Sequence, residues 1–207
     1  MSPTDGENRV ELGLRERKKR ATRQALQHAA LELVTSKGLD CVTIEDITAA
    51  VGVSPRTFFN YFTAKEEALV DADPHLVEEL VQQLRDRPEG EAPLRSLRKV
   101  FLADAQRISE ATDTWRLRFA LSAKHPEIFH AAASATAKLD SALAHVIAER
   151  IDVDITAHPA PRLATGVASA ARRAALHLWV RGEFSTPYPQ ILSTCFDELE
   201  NLLTPAE

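Results

Sequence analysis

Four side chains in the segment SPRTFFNYF have the chemistry to read base edges: Arg56, Thr57, Asn60 and Tyr61. An arginine fork matches guanine, an asparagine amide matches adenine, and a threonine methyl can meet that of thymine. They act together only if one helix carries them into a major groove. Close by, Thr43 and Ser54 stand where helix N-termini would leave N–H groups free for phosphate. Pro55 follows Ser54 at a first helical position, where its missing N–H costs nothing.

The surrounding sequence predicts helices able to position them. Thr43 with Asp46 forms a capping box, flanked by Val42 and Ile47 as a hydrophobic staple. Gly52 ends that helix, and Ser54 caps the next, with Val53 placed to staple to Phe58. Ile47, Val51, Val53, Phe58 and Phe62 are spaced to face inward, which leaves the four readers outward. Two capped helices around a glycine turn make the helix-turn-helix pattern. Thr63 with Glu66 predicts a capping box for one more helix. Upstream, Leu26, Ala29, Ala30, Leu33 and Val34 recur at helical spacing until Lys37-Gly38-Leu39 supplies a C-terminal cation and a cap.

Charge supports an anionic partner for one end of the chain. Overall the 207 residues carry a net −5, which excludes a uniformly basic coat. Yet Arg9, Arg15, Arg17, Lys18, Lys19, Arg20 and Arg23 face only Glu11 and Glu16, a local +5, while residues 67–207 sum to −6. Arg17 and Lys18 are therefore expected at the phosphate backbone.

Beyond residue 70, helical segments are expected over 74–84, 94–111, 115–123, 127–151, 160–181 and 188–203, separated by stretches holding most of the prolines and glycines. Seven glycines and 6% aromatics argue against a sandwich or barrel. The expected fold is all-α, about nine to ten helices: a flexible arm over 1–14, a three-helix unit over 15–64 and a larger helical domain over 65–207. No uncharged run reaches the roughly 20 residues a membrane span needs. The first residues also lack a signal-peptide core. Cys41 and Cys195 form no disulfide framework. A cytoplasmic protein is expected, with no membrane partner.

Other chemistry finds little support. The seven histidines build no three-ligand metal set. Glycine-rich phosphate loops and nucleophile motifs are absent, so no catalytic residue, cofactor or metal is expected. A helical enzyme would need converging titratable groups. A protein-only adaptor would leave the basic segment and the Arg56/Asn60 face without a purpose.

Residues 17–70 resemble the DNA-binding domain of the TetR family of bacterial repressors. The resemblance lies in RQALQHAALELVTSKGLDCVTIEDI, in VGVSPRTFFNYF and in TAKEEAL. It implies a ligand-responsive regulator that is not an enzyme and binds a double-stranded operator with an inverted repeat. It further implies that Thr43 meets phosphate, that Arg56 and Thr57 read bases, that Asn60 and Tyr61 touch bases or phosphate, and that Lys65 touches phosphate. Two positions depart from the family's pattern. Phe59 replaces the usual Tyr and, lacking its hydroxyl, is expected to pack, and Thr48 replaces the usual Ala.

The same resemblance implies a divergent C-terminal domain that binds a small, apolar or amphipathic effector. Phe101, Trp115, Phe119, Phe129 and His145 are its candidate lining residues, with Arg116 and Arg118 placed to meet an acidic group. For the last two helices, two broad apolar faces point to a homodimer. One carries Leu163, Val167, Ala170, Ala171, Ala174 and Leu178, and the other Leu192, Cys195, Phe196, Leu199, Leu202 and Leu203.

Overall fold

The computed structural model describes residues 4–70 and 72–203, with side chains from Arg15 onward. Apart from the backbone from Thr4, the arm expected over 1–14 lies outside the described residues. Ten α-helices and one 3-10 turn, with no strand, make up the described chain. None of these helices is long and apolar enough to cross a membrane. The chain divides into two compact units, Met1–Asp71 with His125–Ala131, and Ala72–Lys124 with Ala132–Glu207.

In the first unit, α1 (Thr4–Lys37) turns Leu26, Ala30 and Val34 into one buried stripe at four-residue spacing. Gly38 stops it at φ 85°, its N–H donating to the Val34 carbonyl at 2.9 Å. A 3-10 turn, Leu39–Cys41, leads into α2 (Ile44–Val51). There the capping box forms as expected, with Thr43 and Asp46 bonded in both directions and Val42 and Ile47 buried. Gly52, left-handed at φ 73°, redirects the chain into α3 (Pro55–Phe59), capped by Ser54. The next cap differs from expectation. Thr63 N–H bonds the Glu67 carboxylate at 2.7 Å instead of Glu66, and Ala64 is the N-cap of α4 (Lys65–Leu69). Ala68 and Leu69 of α4 are fully buried, and α4 packs on α1. This unit thus continues through α4, past the boundary expected at residue 64.

The second unit is built from α5 (Pro74–Arg85), α6 (Pro93–Glu110), α7 (Thr112–Lys124), most of α8 (Pro126–Arg150), α9 (Ala160–Arg181) and α10 (Tyr188–Leu203). Prolines at the first turns of α5, α6 and α9 start those helices where an N–H is not needed. Its core joins Leu84, Leu97, Phe101, Ile108, Leu143, Ile147, Ala175, Trp179 and Phe196. α6, α9 and α10 pack mutually around it. Arg150 of α8 closes the end of α5, donating to the carbonyls of Leu84, Arg87 and Pro88 at 3.2, 2.7 and 2.8 Å. The guanidinium thus adds a donor where the helix end leaves carbonyls short of helical partners.

Candidate functional site

Phe58 and Phe62 are buried with ring centroids 5.2 Å apart, and they fix which side of α3 faces out. Arg56 and Asn60 are then exposed on the opposite side, as their spacing predicts. Asn60 caps the C-terminus of α3 with helical dihedrals, so it prolongs the same turn. Thr57 is half-buried. Its N–H bonds the Ser54 hydroxyl at 3.2 Å, and the two hydroxyls lie 2.9 Å apart. Ser54 and Pro55 are exposed at the start of α3, and Thr43 at the start of α2. Tyr61 is half-buried in the turn after α3, and Arg17 and Lys18 lie exposed along α1.

Three side chains take positions the sequence did not predict. Phe59, expected to pack, is 57% exposed and only meets Phe58 edge-on at 5.7 Å. It extends the outward face beside Asn60. Lys65, expected at phosphate, is half-buried and donates to the carbonyls of Leu39 and Val42 at 2.7 and 3.1 Å. It stitches α4 to the 3-10 turn. Arg23, counted with the basic segment, is buried. It donates to the Tyr61 carbonyl at 2.7 Å and lies 4.2 Å over the Phe62 ring. Thr48 fits its buried position because its hydroxyl bonds the Glu45 carbonyl at 3.1 Å.

In the second unit, rings run as a ladder: Trp115–Phe119 at 5.7 Å, Phe119–Phe184 at 6.3 Å, Phe184–Trp179 at 4.8 Å and Trp179–Tyr188 at 5.0 Å. Arg118 lies over Trp115, and Arg116 over Phe184 with a 3.3 Å bond to the Glu183 carbonyl. Glu183 and Phe184 are both left-handed, at φ 53° and 60°, a conformation costing about 1–3 kcal/mol each outside glycine. Their N–H groups are tied to the Val180 and Trp179 carbonyls at 3.0 and 2.9 Å, and the Phe184 ring is stacked into the ladder.

The expected effector-lining residues take different settings. Trp115 and Phe119 pack, half-buried, against the core that contains Phe101 of α6, and Arg118 lies over Trp115. His145 is exposed and its Nδ1 pairs with the Ser141 carbonyl. Phe129 is 61% exposed and belongs to the first unit. Helical spacing alone could not tell an interior face from an outer one. Sequence reasoning did not single out the buried carboxylate Asp104. Its signal is a carboxylate in the otherwise apolar stripe of Val100, Phe101, Ala105 and Ile108.

Comparison with known proteins places this geometry. Residues 26–72 match the family described as bacterial regulatory proteins, tetR family, and residues 91–204 match the MftR C-terminal domain. The chain is 33% identical over 173 residues to the HTH-type transcriptional regulator TcmR of Streptomyces glaucescens, covering 81% of this chain and 76% of that protein. The chain belongs to the TetR family. Like its family, it is a transcription factor with DNA-binding and ligand-binding domains, and not an enzyme.

Solved TetR-family structures share the fold. FadR of Thermus thermophilus, a repressor in complex with lauroyl-CoA, superposes with a TM-score of 0.58 at 23% identity, over 89% of this chain and 96% of that one. NalD, the secondary repressor of the MexAB-OprM multidrug efflux pump in Pseudomonas aeruginosa, gives 0.57 at 21%, over the same shares. In TetR-family terms, α2 and α3 form the helix-turn-helix of this regulator. The second unit carries its ligand-binding domain.

The dimer candidates divide. Leu163 and Leu178 on α9 are 62% and 51% exposed, and Ala174 is exposed with them. Val167, Cys195 and Leu199 are half-buried. Ala171, Leu192 and Phe196 are buried in their own unit's core, which corrects their assignment to a surface.

Proposed function

We propose that this TetR-family regulator is a cytoplasmic repressor that binds an inverted-repeat operator as a homodimer and is released by a small-molecule effector. The supporting observation is the Arg56–Asn60 face, polar and outward while Phe58 and Phe62 anchor α3 from behind. Arg56, Thr57 and Asn60 read bases. Arg17, Lys18, Thr43, Ser54, Pro55 and Tyr61 contact the backbone or its edge. Two-fold pairing through the exposed apolar side of α9, with Leu163, Ala174 and Leu178, brings two α3 helices to half-sites roughly 34–36 Å apart. The lauroyl-CoA held by FadR supports an amphipathic class of effector for the second unit.

Release is a population shift: operator and effector favour different spacings of the reading heads, so each weakens the other by the same factor. The test is fluorescence anisotropy on inverted repeats flanking the gene, at several salt concentrations. Tight, salt-dependent binding to one repeat is expected, with log affinity falling by about 0.9 per neutralised phosphate. Equal affinity for all duplexes would refute sequence-specific regulation.

A further inference from the structure

Phe59 is the apolar member of an otherwise polar reading face. Its ring is more than half exposed, although Phe58 beside it and Phe62 beyond are fully buried. A single exposed phenylalanine is ordinary on a protein surface, so its position is what bears on function. The ring meets Phe58 edge-on, with the planes at 87°, and Phe58 lies 5.2 Å from Phe62. Arg23 covers the far end of this row, 4.2 Å from the Phe62 centroid. Two anchored rings thus brace the third from behind and leave its outer side free.

The company of the ring suits DNA. Residues 54–62 hold Arg56 and no carboxylate, and Arg56 and Asn60 are exposed with Phe59. The Phe59 ring has no polar atom with which to bond a phosphate oxygen or a polar base edge. The apolar group that base edges present in a major groove is the thymine C5-methyl, and phenylalanine is among the side chains that meet it. Such a contact takes apolar surface of both partners out of water. Asn60 fixes the neighbourhood. Consecutive Cα atoms are about 3.8 Å apart, close to the roughly 3.4 Å step between base pairs, so Phe59 addresses the pair that Asn60 addresses or one beside it. An asparagine amide matches adenine, and every adenine brings a thymine on the opposite strand.

We propose that Phe59 is a specificity-determining residue that reads the C5-methyl of one thymine in each operator half-site, within a base pair of the Asn60 contact. This rests on the reading of α3 as the operator-binding helix. Thr57 also carries a methyl suited to thymine, but it is half-buried and its hydroxyl lies 2.9 Å from that of Ser54. The ring of Phe59 is the freer apolar group.

The test uses the full-length protein and the operator that binding-site selection returns for the wild type. Each thymine is replaced in turn by deoxyuridine, symmetrically in both half-sites, which removes the methyl and keeps the base pair. Affinities are read by fluorescence anisotropy at low salt, where weakened variants still bind measurably. One position is expected to cost the wild type about fourfold per half-site, the worth of one buried methyl-sized group. Phe59→Ala should weaken binding to the thymine operator and erase that penalty, with an unchanged circular dichroism spectrum. Thr57→Ser should keep the penalty. A second measurement needs no variant: 5-iodouracil at the sensitive position, irradiated in the wild-type complex, should crosslink to Phe59, as located by mass spectrometry. The proposal is overturned if no thymine is sensitive, if the penalty survives Phe59→Ala or vanishes in Thr57→Ser, or if the crosslink falls on another residue. An equal loss by Phe59→Ala on thymine and uracil duplexes would put the ring on the sugars and overturns it too. Any of these results alongside sequence-specific binding defeats this inference alone. A selection that returns no preferred sequence defeats the repressor reading, and this inference with it.

Discussion

The Arg23 guanidinium ties the middle of α1 to the Tyr61 carbonyl, 38 residues later, in the turn that closes α3. The reading helix is only five residues long and is held from behind by this bond and by the Phe62 ring beneath the same cation. Arg23→Ala is expected to destabilise the protein by about 2–3 kcal/mol, the range for a charged hydrogen bond with its packing. Urea unfolding followed by circular dichroism measures it. A loss below about 0.5 kcal/mol would mean that α3 is held by other contacts.

Lys65 makes a related prediction. Since its ammonium bridges the Leu39 and Val42 carbonyls, Lys65→Ala should cost about 1–3 kcal/mol of stability by stranding partly buried acceptors. A variant as stable as wild type but weaker on every duplex would instead return Lys65 to the phosphate backbone.

On the outward face, Arg56→Ala should lose roughly 1–3 kcal/mol of discrimination at a single base pair. Phe59→Ala should leave stability within about 0.5 kcal/mol, because the ring is mostly exposed. It should still weaken operator binding. Binding-site selection on both variants checks this, and base preferences unchanged by Arg56→Ala would remove Arg56 from the reading set.

Leu178 offers a clean test of pairing. At 51% exposure within one chain, a glutamate there disturbs no core, so Leu178→Glu should give a folded 22.8 kDa monomer with weakened binding to an inverted repeat. Sedimentation of the variant beside wild type decides, and a variant that still sediments as a dimer would move the interface off this face.

Acid stability turns on Glu91. Hydrogen bonds from Arg87 foremost, and from Lys99 and Ser96, hold its carboxyl far below the usual range. A lowered folded pKa adds stability above the unfolded value of about 4.3 and loses it as pH falls further. Glu91→Gln should therefore be less stable than wild type at pH 6, with a smaller gap at pH 3. Equal gaps at both pH values would show that the ionised form is not what matters.

Local signals were legible because their partners are close in sequence. Thr43, Asp46, Gly52, Ser54 and Pro55 each act within four residues, so the helix ends around the reading face could be placed. Arg23 and Lys65 were misplaced because their acceptors lie 38 and 26 residues away. On α9 and α10 the apolar stripes are broad enough that spacing could not say which edge meets the unit's own core. Phe196 and Leu192 fell inside, and Leu163 and Leu178 outside. Arg172 lies among alanines on α9, and its ion pair with Asp104 and its place over the Phe101 ring are made by a distant helix, α6.

The ring ladder also gives the molecule an optical division of labour. Its two tryptophans, Trp115 and Trp179, are the only ones in the chain, and both belong to the second unit. Light absorbed by indole thus reports on the effector-binding half alone, while the DNA-reading half, whose one phenol is Tyr61, stays dark. A shift in emission when operator is added to the unlabelled protein would be a direct view of one unit sensing what the other has bound.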